Sequence, residues 1–249
     1  MQRVGFGAIN KGSSSVDGVT TGTIEEGVRP FNNAGRETFY KKLYERTYER
    51  NGTPLRRALK DAGEYYSRSD DKGPWSDTPG ETGGADHLAC RQSFTILMTD
   101  GSWNGNESPG VGNQDNNAGS LITNHGDGND FKYTPVDPFK DERGNTLADV
   151  AMKYWKTDLR PNIDNLVPTS DLNPAFWQHM VTYGIGLGVS GSVDPEAAFE
   201  AINSNGSITW ADPFTAGEGK IDDLLHAGVN SRGGFFSASD PNTFAQELI

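Results

Sequence analysis

The 249-residue chain carries 22 basic and 34 acidic side chains, a formal charge of −12. It has no Lys/Arg cluster that could release counterions from a phosphate backbone, which excludes nucleic acid as a partner. Only 34% of residues are hydrophobic against 31 Gly and 13 Pro, so the expectation is a modest core with long surface loops. An acidic, Asn/Asp-rich surface suits Mg²⁺ or Ca²⁺, which take oxygen ligands.

No run reaches the roughly 18 apolar residues of a membrane span, and no charged segment followed by an apolar one opens the chain. The chain is thus either cytosolic or separated from its signal peptide. Cys90 is the single cysteine, and with four His it cannot build a zinc site of the usual spacing. Either it is free and buried or it pairs with a cysteine outside these residues.

In chain order, Arg3 to Ile9 reads as a strand, and the Gly/Ser/Thr-rich stretch from Lys11 to Thr23 as a loop or edge hairpin. Residues 36–50 place Phe39, Tyr40, Leu43, Tyr44 and Thr47 at helical spacing, predicting a helix with one buried stripe that Asn51-Gly52 ends. Thr53-Pro54 opens the next helix, with Thr53 as N-cap and Leu55, Ala58, Leu59, Ala62 and Tyr66 on its core face. Residues 67–89 form a long polar insertion.

Phe94 to Met98 is a short β-prone run that stops at Thr99-Asp100-Gly101, the pattern of a buried strand ending in a turn. In open α/β sheets ligands sit beyond the carboxyl ends of parallel strands, which singles out Asp100. The competing reading is a turn aspartate accepting backbone N–H groups. The loop from Gly105 to Asn129 offers Asp127-Gly128-Asn129 as an EF-hand start, which fails at its fifth position, Phe131.

Asn145-Thr146 caps a helix with Leu147, Val150, Ala151, Tyr154, Trp155 and Leu159 on one side, closed by Arg160-Pro161. Trp177 to Gly188 reads as a second buried strand, with His179 a satisfied core histidine. Its Gly-x-Gly-x-Gly is not a dinucleotide fingerprint, and Gly188 to Ser192 is not a nucleophile elbow. Asp194 before Pro195 caps a short helix. A helix from about Lys220 carries Ile221, Leu224, Leu225 and Val229, with His226 ambiguous. Residues 233–237 form a last strand, and Asp240-Pro241 caps a helix with Phe244, Ala245, Leu248 and Ile249. Alternating strands and helices imply one α/β domain over 1–249, its mostly parallel sheet covered by helices on both faces.

Two loops stand out together: Gly52-Thr53-Pro54-Leu55 opening a helix, and Thr99-Asp100-Gly101 leaving a strand. The pair resembles the second and third loops of a von Willebrand factor A-like (Rossmann-like) domain with its metal-ion-dependent adhesion site. The combination of GTPLRRAL (52–59), CRQSFTILMTDGSWN (90–104), NTLADVAMKYWKTDLRP (145–161), PAFWQHMVTYGIGLG (174–188) and KIDDLLHAGVNSRGGFFSASDP (220–241) resembles the N-terminal A domain of the type IV pilus biogenesis factor and tip adhesin family PilY (PilC).

The resemblance implies a metal site that includes the Thr53 hydroxyl and Asp100, holding Mg²⁺ or Ca²⁺ with an open position for a partner's carboxylate. It implies adhesion and pilus assembly rather than catalysis. The partners would be minor pilins, other pilus components or a host-surface ligand, and the location the pilus tip, outer surface or periplasm. The family's Asp-x-Ser-x-Ser first strand has no counterpart here, so the expectation is a fragment without that central strand. The alternatives are a metal-dependent hydrolase of phosphate or glycosidic bonds and a metal-free structural A domain.

Overall fold

In a computed structural model, the described residues are 2–47, 51–84, 86–105, 107–123, 128–215 and 217–238. The helix expected from Asp240-Pro241, the end of the helix expected to residue 50, and Asp127 lie outside them.

The N-terminal part is antiparallel. Strand β1 (Arg3–Gly7) pairs with β4 (Ile24–Pro30), and β2 (Ser14–Val16) with β3 (Val19–Thr21). Asp17 and Gly18 connect β2 to β3 with φ of 54° and 85°, the two positive values that a tight two-residue hairpin turn requires. Strand β4 escapes the sequence reading because IEEGVRP alternates weakly, with only Ile24 and Gly27 buried.

Helices α1 (Asn33–Glu45) and α2 (Leu55–Tyr66) follow. The buried stripe expected on α1 is not buried. None of its residues is, and Tyr40 and Tyr44 are 42% and 78% exposed. Phe39 instead meets Phe6 and Phe31 edge-on at 5.8 and 5.7 Å, so α1 rests lightly on the β1–β4 ribbon. α2 does bury Leu55, Ala58 and Leu59, the i, i+3, i+4 stripe of an amphipathic helix.

The remaining elements are β5 (Phe94–Thr99), α3 (Leu147–Trp155), β6 (Val181–Leu187), α4 (Pro195–Ser204), α5 (Gly217–Asn230) and β7 (Gly234–Ala238). Thr146 and Asp149 close a reciprocal capping box on α3, and Asp194 caps α4 ahead of Pro195. Strands β5, β6 and β7 form a three-stranded parallel sheet in that order. Among the described residues the parallel pairing is thus confined to three strands, and the antiparallel pairs form separate small sheets.

Leu97, Gly184 and Phe235 share one register row. That row faces the helices. Leu97 clusters with Leu55 and Leu59 of α2, Val150 and Tyr154 of α3 and Leu224 of α5, and a Cβ on Gly184 would lie 2.8 Å from Leu224 Cγ. A second cluster joins Met152, Trp155, Trp177, Trp210, Leu225 and Val229 beyond α5. On the other face no helix among the described residues covers β5, where Phe94, Ile96 and Met98 are exposed.

The insertions are packed rather than loose. Trp75 is 1% exposed and its indole N–H donates to the Tyr66 carbonyl at 2.6 Å, while Arg68 pairs with Asp70 at 2.7 Å. Cys90 is free and exposed, which corrects the buried alternative.

Candidate functional site at the carboxyl end of the parallel sheet

Strand β5 ends at Thr99, and Thr99 itself forms the turn. Its hydroxyl donates to the Gly101 carbonyl at 2.8 Å and accepts the Gly101 N–H at 3.2 Å. The turn role considered for Asp100 therefore belongs to its neighbour. Asp100 is exposed, and its carboxylate has no hydrogen-bond or ion-pair partner among the described residues.

The five residues that follow, 101–105, are anchored. Ser102 donates to the Gly217 carbonyl at 3.1 Å, and the Trp103 indole N–H donates to Asp223 at 3.0 Å. Arg56, buried in α2, lies 4.0 Å from the Trp103 ring centroid and donates to the carbonyls of Gly105 and Asn145. This cation–aromatic stacking fixes the loop between α2 and α5.

Thr53 comes to the same place by its backbone. Its N–H donates to the Asn104 side-chain oxygen at 2.6 Å, and its carbonyl accepts the Asn104 N–H at 3.0 Å. The expected helix cap is corrected: Pro54 occupies the cap position and no side chain caps α2. The Thr53 hydroxyl has no partner among the described residues.

The structure thus ties together the two loops that carry Thr53 and Asp100 and leaves both side chains unengaged. Their oxygens are donors of the type a hard cation takes, but two donors fill only part of the six or more positions of Mg²⁺ or Ca²⁺. Among the described residues no group of three or more His, Cys, Asp or Glu side chains could hold a metal ion.

Two acids missed by the sequence reading organise this end of the sheet. Asp222 and Asp223 are 1% and 4% exposed, although their positions beside Ile221 and Leu224 resemble an ordinary solvated face. Asp222 accepts the N–H groups of Ser192 and Val193 and the Ser192 hydroxyl, at 2.9, 3.0 and 2.5 Å, which ties down the loop after β6. Asp223 accepts the N–H groups of Leu147 and Ala148, both at 3.0 Å, besides Trp103. A carboxylate at the first turn of α3 satisfies donors that have no partner within the helix. Burial nevertheless pushes the Asp223 carboxyl up to about 7.

Behind α5 lies a buried polar group. Asp115, fully buried, accepts the Asp141 N–H at 3.1 Å and the Asn230 amide at 3.0 Å. Asp149 accepts the Gln114 N–H as well as its capping bonds from Thr146. Burial, with Asp149 adding repulsion, pushes the Asp115 carboxyl up to about 8. His226 stacks on Trp210 at 3.9 Å and holds the Phe139 carbonyl at 2.7 Å. Burial lowers it to about 3, so it is neutral and structural. His179 is the core histidine expected, bonded to the Trp177 carbonyl and the Asn173 amide. Asp115, Asp149 and His226 tie Gln114, Asp115, Phe139 and Asp141 to α3 and α5.

No protein-family model and no solved structure matches the chain. Curated relatives do. The type IV pilus biogenesis factor PilY1 of Pseudomonas aeruginosa strain PAK is 35% identical over 264 residues, 96% of this chain. That of strain PAO1 is 37% identical over 238 residues, 86% of the chain. The chain is homologous to PilY1. The match to the PilY1 of strain UCBPP-PA14, 37% over 222 residues, covers 78% of the chain. The chain spans only 22%, 20% and 18% of these PilY1 relatives' own lengths.

Proposed function

We propose that this chain is a non-enzymatic adhesion and assembly module of a type IV pilus. It binds a protein partner through or beside a divalent-metal site that includes Thr53 and Asp100. Homology to PilY1 over most of the chain supports the pilus role. The observation that carries the site is the contrast at the end of β5: residues 101–105 are anchored, whereas the Asp100 carboxylate and the Thr53 hydroxyl are left unengaged. Residues 1–249 act in this reading as one von Willebrand factor A-like domain.

The cation is Mg²⁺ or Ca²⁺, and an open coordination position takes a carboxylate of a minor pilin, another pilus component or a host-surface ligand. The location is the pilus tip, the outer surface or the periplasm. Among the described residues no helix is long and apolar enough to cross a membrane.

The test is Asp100→Ala in the whole gene product. Loss of cation-dependent partner binding and of piliation, with thermal stability unchanged, is expected. Unchanged binding and piliation overturn the metal site. A second reading, a metal-free structural domain, is favoured by the small number of donors. It requires that titration with Mg²⁺ or Ca²⁺ give no saturable heat in either the unsubstituted protein or Asp100→Ala.

A further inference from the structure

The sequence holds three Asn-Gly pairs, Asn51-Gly52, Asn104-Gly105 and Asn205-Gly206. Asparagine is a thermolabile residue, because its side-chain amide carbon is one ring closure away from the next residue's backbone nitrogen. Glycine at that next position has no Cβ to obstruct the closure. Whether a fold permits the reaction depends on three groups: the attacking nitrogen, the carbonyl that is attacked and the amide that leaves.

At Asn104 all three are set for it. The Gly105 N–H has no acceptor among the described residues, and Gly105 is exposed, with φ of 101° and open space where a Cβ would stand. The Asn104 side-chain oxygen accepts the Thr53 N–H at 2.6 Å. A donor there stabilises the negative charge that the oxygen acquires when its carbon is attacked. Gly52 faces this oxygen and leaves no room for a Cβ, which is what lets the oxygen reach Thr53.

The leaving group and the nucleophile are also favoured. The Asn104 NH2 has no acceptor among the described residues, and the residue is exposed, so ammonia can depart and water can enter. Arg56 donates to the Gly105 carbonyl at 3.2 Å, and a cation beside Gly105 favours the deprotonated, nucleophilic form of its nitrogen.

Asn205 supplies the contrast. It is the left-handed C-cap of α4, and the Gly206 N–H donates to the Ala201 carbonyl at 3.0 Å. The nitrogen that would attack is held by the helix end, and no donor engages the Asn205 side chain among the described residues.

We infer that Asn104 is a site of spontaneous deamidation. The Gly105 nitrogen gives up its proton and bonds to Asn104 Cγ, the Cγ–Nδ2 bond breaks, and the amide leaves with a proton as ammonia. Water then opens the succinimide at either carbonyl, giving aspartate or isoaspartate. The net change is amide plus water to carboxylate plus ammonium, with no oxidant or reductant. Each event adds one negative charge to the pair of loops that carries Thr53 and Asp100. Aspartate keeps an acceptor for the Thr53 N–H, whereas isoaspartate lengthens the backbone by one carbon and shifts its carboxylate. The inference goes beyond the pilus role and does not depend on a metal.

The test incubates the unsubstituted whole gene product in neutral buffer and follows each Asn-Gly peptide by its mass gain and by enzymatic methylation of isoaspartate. In the native protein Asn104 is expected to deamidate at least about fivefold faster than Asn205, the factor supplied by one hydrogen bond at the reacting groups. In urea the two rates are expected to converge. A smaller native ratio overturns the inference, as does a ratio that persists unchanged in urea, the mark of local sequence rather than of the fold. These rates read neither piliation nor cation binding, so their failure is distinct from failure of the pilus proposal.

Discussion

Asn104 and Thr53 hold each other through a reciprocal pair of hydrogen bonds, side-chain oxygen to N–H at 2.6 Å and N–H to carbonyl at 3.0 Å. The only side chain in this pair is that of Asn104. Asn104→Ala removes the side-chain acceptor and is expected to cost about 1 kcal/mol, the net contribution of one intramolecular hydrogen bond. Urea denaturation measures the loss. Asn104→Asp keeps an acceptor and should recover most of it.

Asp223 receives three donors in a buried setting. Asp223→Ala leaves the Trp103 indole and two N–H groups of α3 without an acceptor, at about 1–3 kcal/mol for each buried donor. The expected outcome is a strongly destabilised protein whose Trp103 loop is released, read as a lower unfolding midpoint and faster hydrogen exchange at Leu147 and Ala148. Asp223→Asn retains one accepting oxygen and should be intermediate.

Stability should fall as pH rises from about 6.5 to about 8, whereas below 6.5 the buried neutral His179 and His226, lowered by burial to about 4 and about 3, oppose the carboxyls. Burial raises the Asp115 carboxyl to about 8 and that of Asp223 to about 7, from an ordinary 3.8. The folded state therefore keeps, up to these values, protons that the unfolded chain has already released. A carboxyl raised on folding contributes stability that is fully present below its unfolded pKa and is lost as pH rises through its folded pKa. Asp70, lowered chiefly by its hydrogen bond from Arg68, acts in the opposite sense but only at more acid pH. Urea midpoints should be higher at pH 6 than at pH 8.5, and Asp115→Asn should flatten the difference.

Gly63 lies directly against the Tyr154 ring, in contact with any Cβ placed there. Gly63→Ala therefore forces α2 and α3 apart. The expected cost is about 1–3 kcal/mol, typical of overpacking a filled core, despite alanine's better helix propensity. A rise in the unfolding midpoint would contradict it.

Elements whose partners are local were legible in the sequence. The α2 stripe of Leu55, Ala58 and Leu59, and the caps Thr146 and Asp194, depend on spacing within a few residues, and the structure keeps them. Elements whose role depends on distant neighbours were not. The aromatic periodicity of α1 resembles a core face, yet α1 only rests on the β1–β4 ribbon and none of its residues is buried. Asp222 and Asp223 look solvated until the loops after β5 and β6 close over them. At the site, the meeting of the Thr53 and Asp100 loops was foreseen. That Thr99, and not Asp100, would form the turn was not, because both residue types can bond the backbone two positions on.

The adjacency of Asp222 and Asp223 has a mechanical corollary. The loop after β6 is fastened to one and the loop after β5, with the start of α3, to the other. Neighbouring positions on a helix are about 1.5 Å apart along its axis, so neither loop can be displaced without loading the same turn of α5. The walls of the crevice beyond β5 and β6 share one fulcrum, and a rotation of α5 about its axis would move both walls together.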